Sequence, residues 1–190
     1  MKKLQSFLLL SLDGYYADPD GDTTWAHGPP DPDFDAFTRK SATGGGPLLM
    51  GRKTYETMLA FWPTEQAKKE MPEVAKGMNE NKKFVFSRTL TKSTWGNTVF
   101  LKGDLAKEVE KLKREAERDI TILGSGSLVK ELAQAGLVDE FQFVVSPIAL
   151  GAGMQLFAGL DGKLELALET SKAFKNGMIV SSYIPRAAKR

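Results

Sequence analysis

The chain has 190 residues, 42% hydrophobic and 26% charged, enough for one domain with a sizeable core over residues 1–190. A net charge of +2, with basic residues interleaved among acidic ones, gives no footing for nucleic acid. The absence of cysteine excludes disulfides, thiolate catalysis and cysteine-based metal sites, and the single histidine excludes a histidine metal cluster.

Residues 3–11 read as a buried strand. The opening Met1-Lys2-Lys3 and its apolar run imitate a secretion signal, but the run is short and interrupted by Gln5 and Ser6. It ends at Asp13-Gly14 without a small-residue cleavage pattern, so a first core strand is the better reading. No stretch approaches the roughly 18 apolar residues of a membrane helix. A soluble, cytoplasmic protein without membrane contact is expected.

A turn-rich stretch runs from Asp13 to Pro32. Within it Asp18-Pro19-Asp20-Gly21-Asp22 mimics a calcium loop, yet Pro29 stands where the bidentate glutamate belongs, so it reads as a turn. Asp31-Pro32 supplies a helix cap and a first-turn proline, and Phe34, Phe37 and Thr38 give helical spacing up to Gly44-Gly45-Gly46. Residues 47–50 form the second strand, followed by a short helix through Tyr55, Met58 and Leu59 that stops before Pro63. The polar residues 64–80 read as a surface helix or loop.

Lys83–Ser87 and Thr98–Leu101 are strands. Asp104 caps a helix with Leu105, Val109, Leu112 and Ala116 on one face. Residues 120–123 form another strand, and the helix after Ser125 ends at Gly136. Beyond that point Phe141–Ser146, Leu164–Thr170 and Met178–Ile184 are strands without intervening helices. Asn176-Gly177 signals a type I′ hairpin. The order predicts a mixed, mostly parallel α/β sheet with flanking helices and an antiparallel C-terminal edge.

Two glycine-bearing junctions stand out, Met50-Gly51-Arg52-Lys53-Thr54 and Leu123-Gly124-Ser125-Gly126-Ser127-Leu128. In both, a buried strand stops at glycine and turns into a helix, whose N-terminus attracts phosphate. Two such seats suit a ligand with more than one phosphate, such as a dinucleotide. Arg52 and Lys53 suit a further phosphate, although either could be an ordinary solvated charge. The second junction is not a Rossmann fingerprint, because Val129 replaces the third glycine.

These residues resemble the dihydrofolate reductase-like superfamily. The nearer resemblance is to the C-terminal reductase domain of the bifunctional riboflavin-biosynthesis deaminase-reductase. Ser11-Leu12-Asp13-Gly14-Tyr15-Tyr16-Ala17 is similar to that branch's S-x-D-G-x-x-A, and Met50–Thr54 to the superfamily's M-G-R-x-T. Phe86-Ser87-Arg88 matches the strand-end element, and Gly124–Leu128 the glycine-rich turn. Ser146-Pro147 through Gly151-Ala152-Gly153 resembles the P-x-x-x-G-x-G segment. The zinc-binding deaminase half has no counterpart here.

The resemblance implies a central sheet of about eight strands, bound NADPH, and reduction of a pyrimidine, pteridine or related heterocycle, often by a homodimer. It implies that Arg52, Ser87 and Arg88 hold the adenosine end with its 2′-phosphate. Gly124, Ser125 and Gly126 would then admit the pyrophosphate or nicotinamide ribose, with Ser125, Ser127 and Leu128 capping the helix. Trp25 and Phe37 either stack on the substrate or fill the core.

For the proton, Asp13 sits in the turn after the first strand, and Asp33 aligns with the acid of true dihydrofolate reductases, with Asp35 its competitor in register. Each could equally be a solvated acid favoured by a helix start. The Phe141–Pro147 run is expected to serve the homodimer. A true dihydrofolate reductase and a nucleotide-binding protein without turnover are the competing readings. The former ranks lower, since Asp13-Gly14 stands where that family usually carries Asn.

Overall fold

Alternation along the first strand decides the layering. In β1 (Leu4–Leu10) the even-numbered residues are buried and the odd-numbered ones partly buried, so the strand is covered on both faces. Leu4, Leu8 and Leu10 join the core under the later helices, whereas Phe7 and Leu9 pack on the opposite side. The computed structural model describes residues 1–186.

The elements follow in chain order. β2 (Tyr15–Ala17) and a 3₁₀ turn (Thr24–Ala26) precede α1 (Pro32–Ala42), β3 (Leu48–Gly51) and α2 (Arg52–Phe61). Then come α3 (Glu65–Glu70), α4 (Pro72–Glu80), β4 (Lys83–Phe86), β5 (Thr98–Leu101), α5 (Leu105–Glu115) and β6 (Ile120–Leu123). α6 (Gly126–Gln134), β7 (Glu140–Val145), β8 (Met154–Gln155), β9 (Leu166–Ala173) and β10 (Ile179–Pro185) complete the described chain.

The main sheet has eight strands in the order β5-β4-β3-β6-β1-β7-β10-β9. The pairs from β5 to β7 are parallel, and β10 pairs antiparallel with both β7 and β9. This is the mixed α/β sheet with an antiparallel C-terminal edge that the sequence predicts. α5 and α6 cover one face through Leu105, Val109, Leu112, Val129 and Leu132. Residues of α1, α2 and α4 cover the other, with Tyr55, Val74 and Met78 on β3 and β4, and Phe34 and Phe37 on β10. Parallel order brings the carboxyl ends of β1, β3, β4, β5, β6 and β7 to one edge, where such sheets collect ligands.

Four expectations need correction. Residues 64–80 are two helices that bury Ala67, Val74, Ala75 and Met78, an apolar stripe hidden in sequence by surrounding lysines and glutamates. β2 and β8 form a separate two-stranded sheet, too short to carry a periodic signal. The β9–β10 hairpin is not type I′, because only Gly177 (φ +86°) takes positive φ while Asn176 does not. Gly177 N–H closes on Phe174 O at 3.0 Å and Phe174 N–H on Met178 O at 2.9 Å, a type I turn ending in a left-handed glycine. Lastly, β7 lies between β1 and β10 with Phe141 and Phe143 buried, so its apolar run is satisfied within one chain, and β9 is the edge strand of the antiparallel side.

Candidate functional site

The two glycine junctions meet. Ser125 Oγ accepts the Gly51 N–H at 2.8 Å and lies 2.8 Å from Thr54 Oγ1, tying the β6–α6 turn to the β3–α2 turn. Gly124 (φ +55°) and Ser125 (φ +57°) are successive left-handed residues, which turns the chain sharply before α6. Left-handed geometry suits glycine and strains Ser125, and a strained residue at a strand end is a common mark of a ligand site.

Helix capping sets these two helices apart from α1, α3 and α5. α1, α3 and α5 begin with side-chain caps from Asp31, Thr64 and Asp104. α2 and α6 begin with none, as does α4, whose first residue is Pro72 and lies away from the carboxyl edge of the sheet. The cap expected from Ser125 is absent, because its hydroxyl is used on Gly51 and Thr54. Uncapped first-turn N–H groups retain their full capacity for an anion. Ser127 is exposed at the start of α6. Leu128 is a packing residue, buried beside Gly51, and its N–H is bound to Ser125 O.

Gly126 has a different reason from the one its place in the motif suggests. A Cβ there would stand 2.4 Å from the Tyr16 ring, so the glycine makes room for an aromatic of the same chain. Burial raises the Tyr16 phenol above its ordinary pKa.

Beside the α2 N-terminus, past the carboxyl ends of β4 and β5, a cavity of about 560 Å³ is lined by Arg52, Ser87, Arg88, Thr89, Gly103 and Glu131, among others. Ser87 is buried and its hydroxyl accepts the N–H groups of Thr89 and Leu90, which shapes the turn that carries Arg88. Arg88 makes no hydrogen bond or ion pair among the described residues. Arg52 holds Glu56 at 3.0 and 3.1 Å, an exposed one-turn pair of the kind worth only about 0.3–0.5 kcal/mol. Lys53 is exposed and does not line the cavity.

Along the same edge lie the other candidates. Asp13 accepts hydrogen bonds from Ser11 Oγ and from the N–H groups of Leu150 and Gly151, and these hold its carboxyl at about 2. The 3₁₀ turn docks on the end of β7, where Ser146 Oγ donates to Ala26 O. Trp25 in that turn is half-buried and donates to Asp22 O. Phe37 packs with Phe34 and Phe174 in an aromatic cluster against β10, so it fills the seam beneath α1.

Asp33 and Asp35 are both exposed on the first turn of α1. Asp31 is the buried acid of that turn, accepting from Asp33, Phe34 and Asn176. Burial pushes its pKa up, and the N–H groups of Phe34, Asn176, Asp33 and Lys175 outweigh burial, leaving it below its usual value. The sequence identifies Asp31 as a cap but not its bond to the distant hairpin.

The fold and its motifs agree with known proteins. The family described as RibD C-terminal domain matches residues 2–180. The uncharacterized protein YyaP of Bacillus subtilis is 30% identical over 176 residues, covering 93% of this chain and 91% of the relative. A Shewanella sp. PV-4 protein assigned provisionally to riboflavin biosynthesis has a TM-score of 0.77 at 24% identity, over 97% of this chain and 99% of that one. The Thermotoga maritima diaminohydroxyphosphoribosylaminopyrimidine deaminase/5-amino-6-(5-phosphoribosylamino)uracil reductase has a TM-score of 0.68 at 14% identity, over 97% of this chain but 57% of that one. With both glycine junctions and every strand of the sheet up to the start of β10 inside the matched span, the chain belongs to the RibD C-terminal domain family.

Proposed function

We propose that this protein is an NADPH-dependent reductase of a pyrimidine, pteridine or related heterocycle. The observation that carries this reading is the pair of uncapped helix N-termini, α2 and α6, joined through Ser125 and Gly51 beside the arginine-lined cavity. These residues fit a dinucleotide: left-handed Gly124 keeps the β6–α6 turn narrow, two helix starts supply N–H donors, and two arginines supply charge. Adjacent strands lie ~4.8 Å apart, so the arrangement spans several strands and suits an extended ligand.

In this reading NADPH supplies the hydride. Arg88 and Arg52 bind the 2′-phosphate, with Ser87 holding the turn that presents Arg88 and Lys53 adding long-range charge. Gly51, Thr54, Gly124, Ser125 and Ser127 shape the pyrophosphate seat. Asp33, exposed at the start of α1, anchors a ring N–H or delivers the proton, and Trp25 borders the substrate. Asp13 belongs to the same edge. We assign a homodimer to the β9 edge, where Leu168 remains 57% exposed; a monomer by light scattering at micromolar concentration overturns that assignment.

Fluorescence titration with NADPH and NADH, followed by nicotinamide oxidation against a heterocycle panel, tests the reading. The panel includes 5-amino-6-(5-phosphoribosylamino)uracil, which the Thermotoga relative's name supplies, and dihydrofolate. Binding with heterocycle-dependent oxidation is expected. Binding without oxidation across the panel favours a nucleotide-binding protein without turnover, and no binding overturns the proposal.

A further inference from the structure

The turn that follows β1 touches two parts of the site at once, and its acid is fully engaged. Asp13 Oδ1 accepts the Ser11 hydroxyl at 2.6 Å and the Leu150 N–H at 3.1 Å, while Oδ2 accepts the Gly151 N–H at 2.7 Å. Three donors on two oxygens fix the carboxylate plane. The backbone reinforces the contact, with Leu12 N–H on Ile148 O at 2.7 Å and Leu156 N–H on Gly14 O at 3.3 Å. Gly153 (φ +148°) approaches so closely that a Cβ would stand 2.3 Å from the Ala17 carbonyl oxygen. The turn at 11–17 and the loop at 148–156 therefore form one packed body.

Tyr16 carries that body to the other side of the site. Its flanking residues Tyr15 and Ala17 pair with Gln155 and Met154 in the small sheet. Its ring fills the place of the missing Cβ of Gly126, the first residue of α6. A shift of the turn moves the ring that bears on the helix start. Close-packed interiors transmit such displacements instead of absorbing them.

We propose that Asp13 is a positioning residue: its carboxylate locks the 148–151 loop to the turn and, through Tyr16, sets the geometry of the α6 N-terminus. This deepens the reading of that terminus as a phosphate seat and rests on it. Hydrogen bonds from Ser11 and Gly151 keep Asp13 ionised at neutral pH, so in this role it supplies no proton. Asparagine does not replace it, because an amide –NH₂ would face a backbone N–H, donor against donor.

The test uses the full chain, ¹⁵N-labelled, as wild type, Asp13→Asn, Asp13→Ala and Ser11→Ala, the last removing the acceptor of the Tyr15 N–H as well as the donor to Asp13. The amide resonances of Leu150 and Gly151 should move together with those of Gly126 and Ser127, since the ring current of Tyr16 moves with its ring. The NADPH dissociation constant should rise roughly two- to thirtyfold, the usual span of coupling between linked sites. Its pH dependence from 5 to 9 should keep the wild-type shape, because no group titrating there is lost. Tyr16→Leu should reproduce the Gly126 and Ser127 shifts and the weaker binding while leaving Leu150 and Gly151 in place.

Movement of Leu150 and Gly151 alone overturns the coupling, as does unchanged affinity with all four amides displaced. Failure of the wild type to bind NADPH removes the phosphate-seat reading instead, and the joint amide movement still decides whether Asp13 sets the helix start. Should Asp13→Asn and Asp13→Ala not fold, Asp13→Glu, which keeps the charge and displaces the carboxylate from the Leu150 and Gly151 N–H groups, decides the same question.

Discussion

Ser125 Oγ lies 2.8 Å from the Gly51 amide, and through that bond one strand-to-helix turn sets the position of the other. The contact spans 74 residues of sequence, so neither junction reveals it alone. Ser125 accepts the bond from a strained left-handed backbone, which separates two substitutions. Ser125→Ala loses the acceptor and keeps the strain, costing about 1–3 kcal/mol for the part-buried Gly51 donor. Ser125→Gly loses the same bond but relieves strain, so it should be about 1 kcal/mol less destabilised than the alanine variant. Urea unfolding midpoints order the three proteins; a glycine variant weaker than the alanine variant contradicts the account.

Arg88 makes no hydrogen bond or ion pair among the described residues, whereas Arg52 already holds Glu56. Arg88 is therefore the arginine with more to offer a 2′-phosphate. One charge-assisted contact is worth about 1.5–3 kcal/mol, so Arg88→Ala should weaken NADPH roughly ten- to a hundredfold and leave NADH nearly unchanged. Arg52→Ala should act in the same direction and less strongly, because its lost partner is shared with Glu56. Equal losses for both nicotinamide cofactors would place Arg88 away from the 2′-phosphate.

The first turn of α1 allows a second discrimination. Asp33 lies one helical turn before Phe37, which packs inward on Phe174, while Asp35 points about 200° away from Asp33 around the helix. Asp33→Asn should lower turnover with little effect on NADPH affinity, and Asp35→Asn should leave both unchanged. Steady-state kinetics with the heterocycle identified from the panel decides this. Damage from Asp35→Asn alone would reverse the assignment of faces.

Acid should weaken the fold through Asp13, Asp22 and Asp31, whose carboxyls all titrate below their ordinary value of 3.8. The native state binds protons less readily than the unfolded chain, so the stabilisation is present above pH 3.8 and disappears as pH falls through the native values. For Asp13 that window runs from 3.8 to about 2. Unfolding midpoints between pH 5 and 2 should fall less steeply in Asp13→Asn than in the wild type. Parallel curves would mean that the Ser11 and Gly151 bonds do not persist in solution.

The alternation of strand and helix was legible because buried parallel strands are short apolar runs bounded by glycine and caps. The same grammar located both glycine junctions. What stayed hidden was long-range pairing: Asp13 looks like a free turn acid until its amide partners, 137 and 138 residues away, are in place. Gly126 looks like a ligand glycine until Tyr16 is seen against it. Residues 64–80 read as surface because Val74, Ala75 and Met78 are outnumbered by charged neighbours, and composition averages over faces that a helix separates.

Lys83 is the clearest case of a charge whose place no local pattern foretells, and it yields the last prediction. It opens β4, is fully buried, and donates to the carbonyls of Met78, Asn79 and Asn81 at 2.7–3.0 Å, closing the C-terminal end of α4. Its ammonium also lies 4.5 Å from the Trp95 ring centroid. No carboxylate pairs with it among the described residues, so desolvation dominates and holds its pKa down to about 8. Between that value and the ordinary 10.5, the native protein has released a proton that the unfolded chain still binds. Stability should therefore rise with pH across that window, by up to about 1.4 kcal/mol per pH unit for one proton. Lys83→Met removes this dependence. It also leaves three carbonyls at the end of α4 without their donor, costing about 1–3 kcal/mol at pH 7. Urea unfolding followed by tryptophan fluorescence at pH 7, 8, 9 and 10 measures both effects. If the methionine variant keeps the wild-type slope, another group carries the proton and Lys83 is not the titrating residue.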